Sequence, residues 1–116
     1  MNTLNAIWII VSAQLSGQDI TASFQNEKLE IMDGAYKIWS GENISDSGIL
    51  SYPSGNAMDI KGTNGPNKGK VFTCIYKMES EQLTICYNLA QNGIRPTEFV
   101  TTFENKFILI TYQKKK

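Results

Sequence analysis

Histidine is absent from all 116 residues. Its absence removes imidazole general bases, Ser-His and Cys-His nucleophile pairs and imidazole metal ligands together. Cysteine is nearly absent too, with Cys74 and Cys86 alone, and two thiolates without histidine fall short of a zinc site. No metal, cofactor or catalytic residue is therefore expected, and the chain reads as a non-enzyme. Neither sign of charge is in excess, since 11 basic residues balance 11 acidic ones. A uniformly positive field that would attract phosphate backbones is missing, which excludes nucleic acid as an expected partner. Long apolar runs are missing as well. Ala6-Ile7-Trp8-Ile9-Ile10-Val11 falls well short of the roughly 20 residues a membrane helix needs, and no basic segment precedes it as in a signal peptide. It reads as a strand, so no membrane span and a cytoplasmic location are expected. The Lys114-Lys115-Lys116 end reads as a solvated basic tail, because lipid-binding clusters carry about 4–8 such charges.

What is present is an ordinary globular composition, 41% hydrophobic and 19% charged, in a chain the size of one domain spanning residues 1–116. Short runs of β-branched and aromatic residues recur every eight to twelve positions, with Gly, Asn, Asp, Ser or Pro between them. This pattern predicts eight strands at residues 7–13, 28–32, 35–40, 48–52, 57–61, 70–77, 82–89 and 107–113. Asp33-Gly34 supplies the positive φ angles of a tight hairpin turn. Residues 41–46, 53–56 and 79–81 serve later connections, which makes strands adjacent in sequence adjacent in space. Residues 14–26 break the strand pattern and read as one long connection with a short helical turn. The fold class expected is all-β, an eight-stranded antiparallel up-and-down barrel.

Gly65-Pro66-Asn67-Lys68-Gly69-Lys70 looks like a phosphate-binding loop until its spacing is tested. The first glycine would have to stand at Asn64 and a hydroxyl at Val71, so it reads as a turn. Cys74 and Cys86 occupy the two arms of one hairpin, and two registers are open. A turn centred on Ser80 sets Cys74 opposite Cys86, whereas a shift by one residue sets it opposite Ile85. Reduced, buried thiols are the reading preferred for a cytoplasmic protein. A reactive thiol would require a depressed pKa from a cation such as Arg95 or Lys77. The aromatic supply is generous and serves packing or the lining of a cavity. Trp8, Tyr36, Phe72 and Tyr76, with Arg95, are the candidate ligand-binding residues. Thr73, Thr84 and Asp59 are polar candidates for the interior. In Arg95-Pro96-Thr97-Glu98-Phe99 the guanidinium either forms a structural ion pair at one end of the barrel or anchors an anionic head group.

Taken in order, these residues resemble the small lipocalin-like domain family abundant in planctomycete genomes. The matching positions are Leu4, Trp8, Val11, Ser12 and Gly17, then Asp33, Tyr36, Gly48, Asp59 and Ile60. Gly65-Pro66, Lys68-Gly69-Lys70, Ile75-Tyr76, Leu83, Ile85-Cys86 and Arg95-Pro96-Thr97-Glu98-Phe99 follow. The chain departs from the family's glycine two residues before the tryptophan, having Ala6 instead. The resemblance implies a calycin-like up-and-down barrel, with Lys114 covering Trp8 from the last strand. It also implies a small hydrophobic or amphipathic ligand held in the barrel. The alternative is a solid barrel acting as a structural or protein-interaction module, and the oligomeric state is left open.

Overall fold

A computed structural model describes residues 4–115 and forms a closed antiparallel barrel. Its strands are β1 (Ala6–Leu15), β2 (Gln18–Asp19), β3 (Glu27–Met32), β4 (Ala35–Ser40), β5 (Asn43–Ser51), β6 (Ala57–Asn64), β7 (Val71–Glu79), β8 (Gln82–Asn88) and β9 (Phe107–Lys114). Each of β3 to β9 pairs with its sequence neighbour, β1 pairs with β3, and β9 returns to pair with β1. Eight strands thus close the up-and-down meander that the spacing of the apolar runs predicts. The two-residue β2 folds back on the end of β1 through Ser16-Gly17, both in the left-handed region at φ 54° and 76°. A 3-10 turn, η1 (Thr21–Phe24), follows. Residues 14–26 therefore do hold the helical turn expected of them, while the end of β1 and all of β2 are strand where none was expected. Gly17 and Asp19, which break the alternation there, sit in a hairpin turn and in a strand too short to show a period.

Alternation sorts the side chains into two sets. Inside lie Trp8, Leu29, Ile31, Tyr36, Met58, Ile60, Cys74, Leu83, Ile85, Ile108, Ile110 and Tyr112, all buried in one core cluster. Trp8, Met58 and Leu83 are fully buried at the end where β1, β6 and β8 begin, and they plug it. The Trp8 indole N–H donates to the Leu4 carbonyl at 3.0 Å, so this buried donor is satisfied. The β1–β9 register sets Lys114 directly opposite Trp8.

Hairpin turns fix the registers. Asp33 and Gly34 take φ 51° and 82°, the double left-handed turn expected from the sequence, and Met32 pairs with Ala35 across it. Between β7 and β8 neither anticipated register occurs. Glu79 pairs with Gln82, Cys74 with Tyr87 and Ile75 with Cys86. The turn contains just Ser80 and Glu81, with Ser80 at φ 55°, and this shifts the pairing by one residue from the register that joins the cysteines. Cys74 consequently faces the interior and Cys86 the outer side, and both are free buried thiols.

Gly48 shows why one glycine of β5 is fixed. It pairs with Tyr36, and a Cβ built on it would lie 2.1 Å from the Lys61 carbonyl oxygen and 2.7 Å from the Tyr36 ring. The tyrosine ring occupies the space a side chain would take. Gly48→Ala is expected to destabilise the barrel by about 3 kcal/mol, as overpacking against backbone does. Urea unfolding of the variant beside the wild type measures it.

Candidate functional site

The inner set does not fill the barrel. Away from the Trp8 plug lies a cavity of about 340 Å³, partly open to solvent at the end that carries η1 and the β6–β7 loop. Leu29, Ile31, Ile60, Ile85 and Ile110 form much of its wall, Met58 lies on the side of the plug, and Phe24 from η1 and Leu89 stand toward the mouth. Ligand pockets start at about 300 Å³ and have this mostly apolar character.

A few polar groups interrupt the wall. Tyr36, Tyr87 and Tyr112 project into it, with Asp46, Asn67 and Glu27 nearer the mouth. The Tyr87 and Tyr112 hydroxyls hydrogen-bond to each other across the β8–β9 pair. One proton of the two suffices for that bond, which leaves the second O–H available to an acceptor. Burial pushes the pKa of both phenols well up. Tyr36 is pushed up to about 12, first by burial and then by the negative charge of Asp46. Burial also raises the Glu27 carboxyl above its ordinary value.

Asp46 reaches the interior by the alternation it shares with Gly48 and Leu50, and a β-bulge follows it on the ladder toward Ile44. Ile38 pairs with Asp46 but Trp39 pairs with Ile44, so Ser45 is extra, and its hydroxyl donates to the Ile38 carbonyl at 3.2 Å. The bulge leaves Leu50, Gly48 and Asp46 on the inner face while Ile44 turns outward. One Asp46 carboxylate oxygen accepts the Ser47 backbone N–H at 3.0 Å and the other accepts the Asn67 amide at 2.7 Å. Asn67 comes from the glycine-rich turn Gly65-Pro66-Asn67-Lys68-Gly69-Lys70. The turn folds inward over Gly62, where a Cβ would lie 2.1 Å from the Asn67 carbonyl oxygen, and Gly65 at φ 83° packs on Ser45 and Asp46. The motif thus builds a polar rim for the cavity.

Of the ligand-binding candidates read from the sequence, Tyr36 and Phe72 stand in the cavity wall. Trp8 lies in the plug. Tyr76 packs edge-on against Tyr52 at 5.7 Å, toward the plugged end. Arg95 lies on the outer side of the barrel, where one guanidinium nitrogen donates to the Met58 and Cys74 carbonyls at 3.1 and 2.8 Å. The other donates to Asp59 at 2.7 Å, an ion pair on the barrel wall. Asp59, Thr73 and Thr84, entertained as interior groups, alternate outward instead, and the Thr73 hydroxyl donates to the Ile94 carbonyl. Sequence reading passed over Asp46, Asn67 and Tyr112. Tyr112 had a signal in the alternation Ile108, Ile110, Tyr112. Asp46 had a weak one, because its inner neighbour is a glycine.

Residues 89–106 form a strap over the outer face of β6 to β8. Pro96 within it is fully buried, Asn88 donates to the Ile94 carbonyl at 2.7 Å, and Lys77 sits 4.9 Å above the Phe99 ring. Cys86 is covered by the strap, and burial pushes its thiol from the ordinary 9.0 up to about 11, against the opposing Val100 backbone hydrogen bond. Burial raises the Cys74 thiol as well, with the Asp59 charge adding to it. Neither is an activated nucleophile. Among the described residues no group of three or more His, Cys, Asp and Glu side chains could hold a metal ion. Among the described residues no helix is long and apolar enough to cross a membrane. Compared with protein-family models, with curated proteins and with solved structures, the chain finds no match.

Three outcomes are expected. A rise of two pH units in the Cys86 pKa, from 9.0 to about 11, leaves roughly a hundredfold less thiolate at pH 8. Iodoacetamide should therefore label this thiol at least that much more slowly in the folded chain than in urea. The folded state holds the thiol proton more tightly than the unfolded one. The associated stability is complete below about pH 9 and is lost as pH rises toward 11, which alkaline unfolding curves will show. In addition, Arg95→Ala should cost about 1.5–3 kcal/mol, the range for hydrogen bonds from a charged donor, as measured by urea unfolding.

Proposed function

We propose that this protein is a lipocalin-like carrier that holds one small hydrophobic or amphipathic molecule inside its barrel. The observation that carries the reading is the cavity of about 340 Å³, walled by apolar side chains and edged by a few polar ones. At roughly 30 Å³ per heavy atom, the share of a water in the liquid, it has room for about eleven such atoms. One end is plugged by Trp8, Met58 and Leu83 and the other carries the rim of η1 and the glycine turn, so a ligand enters from one side. The up-and-down meander with a tryptophan in its first strand is in keeping with the family the sequence resembles. The reading includes no catalytic step, and burial leaves neither thiol activated.

A second reading makes the barrel a protein-interaction module. It draws on the outer stripe of β1, where Ile7, Ile9 and Val11 are 37–48% exposed. The cavity favours the first, since a module that works through its outer face has no need of an unfilled interior.

A small neutral environment-sensitive dye should brighten and shift to the blue on adding the protein, and native mass spectra of protein purified from its own host should carry a bound small molecule. Ile38→Trp, which projects a larger ring into the cavity, should weaken dye binding at least tenfold. Equal dye binding by the variant, or a wild type that binds no dye and carries no ligand, would overturn the proposal.

A further inference from the structure

Resting on the reading of the barrel as a ligand carrier, we propose that the molecule it holds is an amphipathic cation: a primary ammonium on an apolar body of about eight carbons, with the charge against Asp46. Asp46 is 6% exposed and lies in the cavity wall. Two of the roughly four acceptor sites of its carboxylate are used, by the Ser47 N–H and the Asn67 amide, and both donors are neutral. Among the described residues the ion pairs are Lys77 with Glu79 and Arg95 with Asp59, so Asp46 is buried without a cationic side chain against it. A buried carboxylate held by neutral donors gains most from a cation that arrives with its own apolar cover.

The rest of the polar lining has the same sign. Glu27 adds a second carboxylate near the mouth, and Tyr36, Tyr87 and Tyr112 add hydroxyls but no positive charge. Lys28 is the one cation among the lining residues, and it stands at the rim between Glu27 and Leu29, where alternation aims it at the outer face. Arg95, the group suited to an anionic head, is engaged on the outer wall with Asp59 and two carbonyls. A carboxylate ligand would bring its charge into the field of Asp46 and Glu27 with no guanidinium or ammonium to receive it. An alcohol would meet the hydrogen-bonding capacity but not the charge. The discrimination is built from like-charge exclusion as much as from attraction.

The test titrates the whole chain at neutral pH with three probes of one length, octylamine, octan-1-ol and octanoate, by calorimetry. Octylamine should bind at least tenfold more tightly than octan-1-ol, and octanoate more weakly than either. In Asp46→Asn the ratio of octylamine to octan-1-ol affinity should fall to about one. Because that variant also alters the contact with Asn67, a second measurement keeps to the wild type: the ¹³C resonance of the Asp46 carboxyl should move on adding octylamine and stay in place with octan-1-ol. If octanol and octylamine bind equally, or octanoate binds best, or the preference survives in Asp46→Asn, or the carboxyl resonance does not move, the inference falls while the carrier reading stands. If none of the three binds, both fall.

Discussion

Closure of β1 on β9 is the constraint from which the rest of the structure follows. An antiparallel sheet of eight strands leaves two edges of unpaired N–H and C=O groups unless its first and last strands meet, and here they do, over seven residue pairs with one bulge. Once closed, the sheet has an inside of fixed circumference, and the period of two assigns each residue to it or away from it. The inner side chains then decide how much of that volume is filled. Trp8, Met58 and Leu83 fill one end, whereas toward the other the inner side chains of Leu29, Ile60, Ile85 and Ile110 stop short of one another and leave the cavity.

Much of this architecture was readable in the sequence because its signals are local. Strand β4 is read to the residue, since Asp33-Gly34 declares a turn and the run from Ala35 alternates. The β7–β8 register was not readable, for a comparable reason: its turn places Ser80 in the left-handed region, and a serine advertises nothing of the kind. One residue of shift from the register that sets Cys74 opposite Cys86 puts Cys74 inside the barrel and Cys86 outside it. Asp46 has only a weak signal because it lies just after the bulge residue Ser45 and two positions before Gly48, so no apolar alternation marks its face. The position of Arg95 depends on contacts with residues 21 to 37 positions away, which no local pattern encodes.

The polar groups divide the molecule in a simple way. Arg95 and Asp59 neutralise each other on the outer wall, and Lys77 pairs with Glu79 on the same strand. Inside, the Asp46 carboxylate is held by the neutral Ser47 N–H and Asn67 amide, and the Tyr87 and Tyr112 hydroxyls hold each other. Positive charge is spent outside and negative polarity is kept within. The glycine turn between β6 and β7 is what allows it, because Gly62 and Gly65 let the loop backbone approach closely enough for Asn67 to reach the aspartate.

The strap of residues 89–106 makes the barrel lopsided in its mechanics. Over β6 to β8 the wall is two layers thick, with the strap's Pro96 and the sheet's Cys86 buried between them and with guanidinium bonds stitching the layers together. Across β3, β4 and β5 the wall is a single sheet whose outer side faces solvent, as the half-exposed Met32, Ile44 and Ile49 show. Opening the first region breaks contacts on both faces of the sheet, and opening the second breaks them on one. Fluctuations that widen the mouth therefore concentrate on the thin side, around the bulge that carries Asp46, and the thick side acts as the fixed jaw against which it moves.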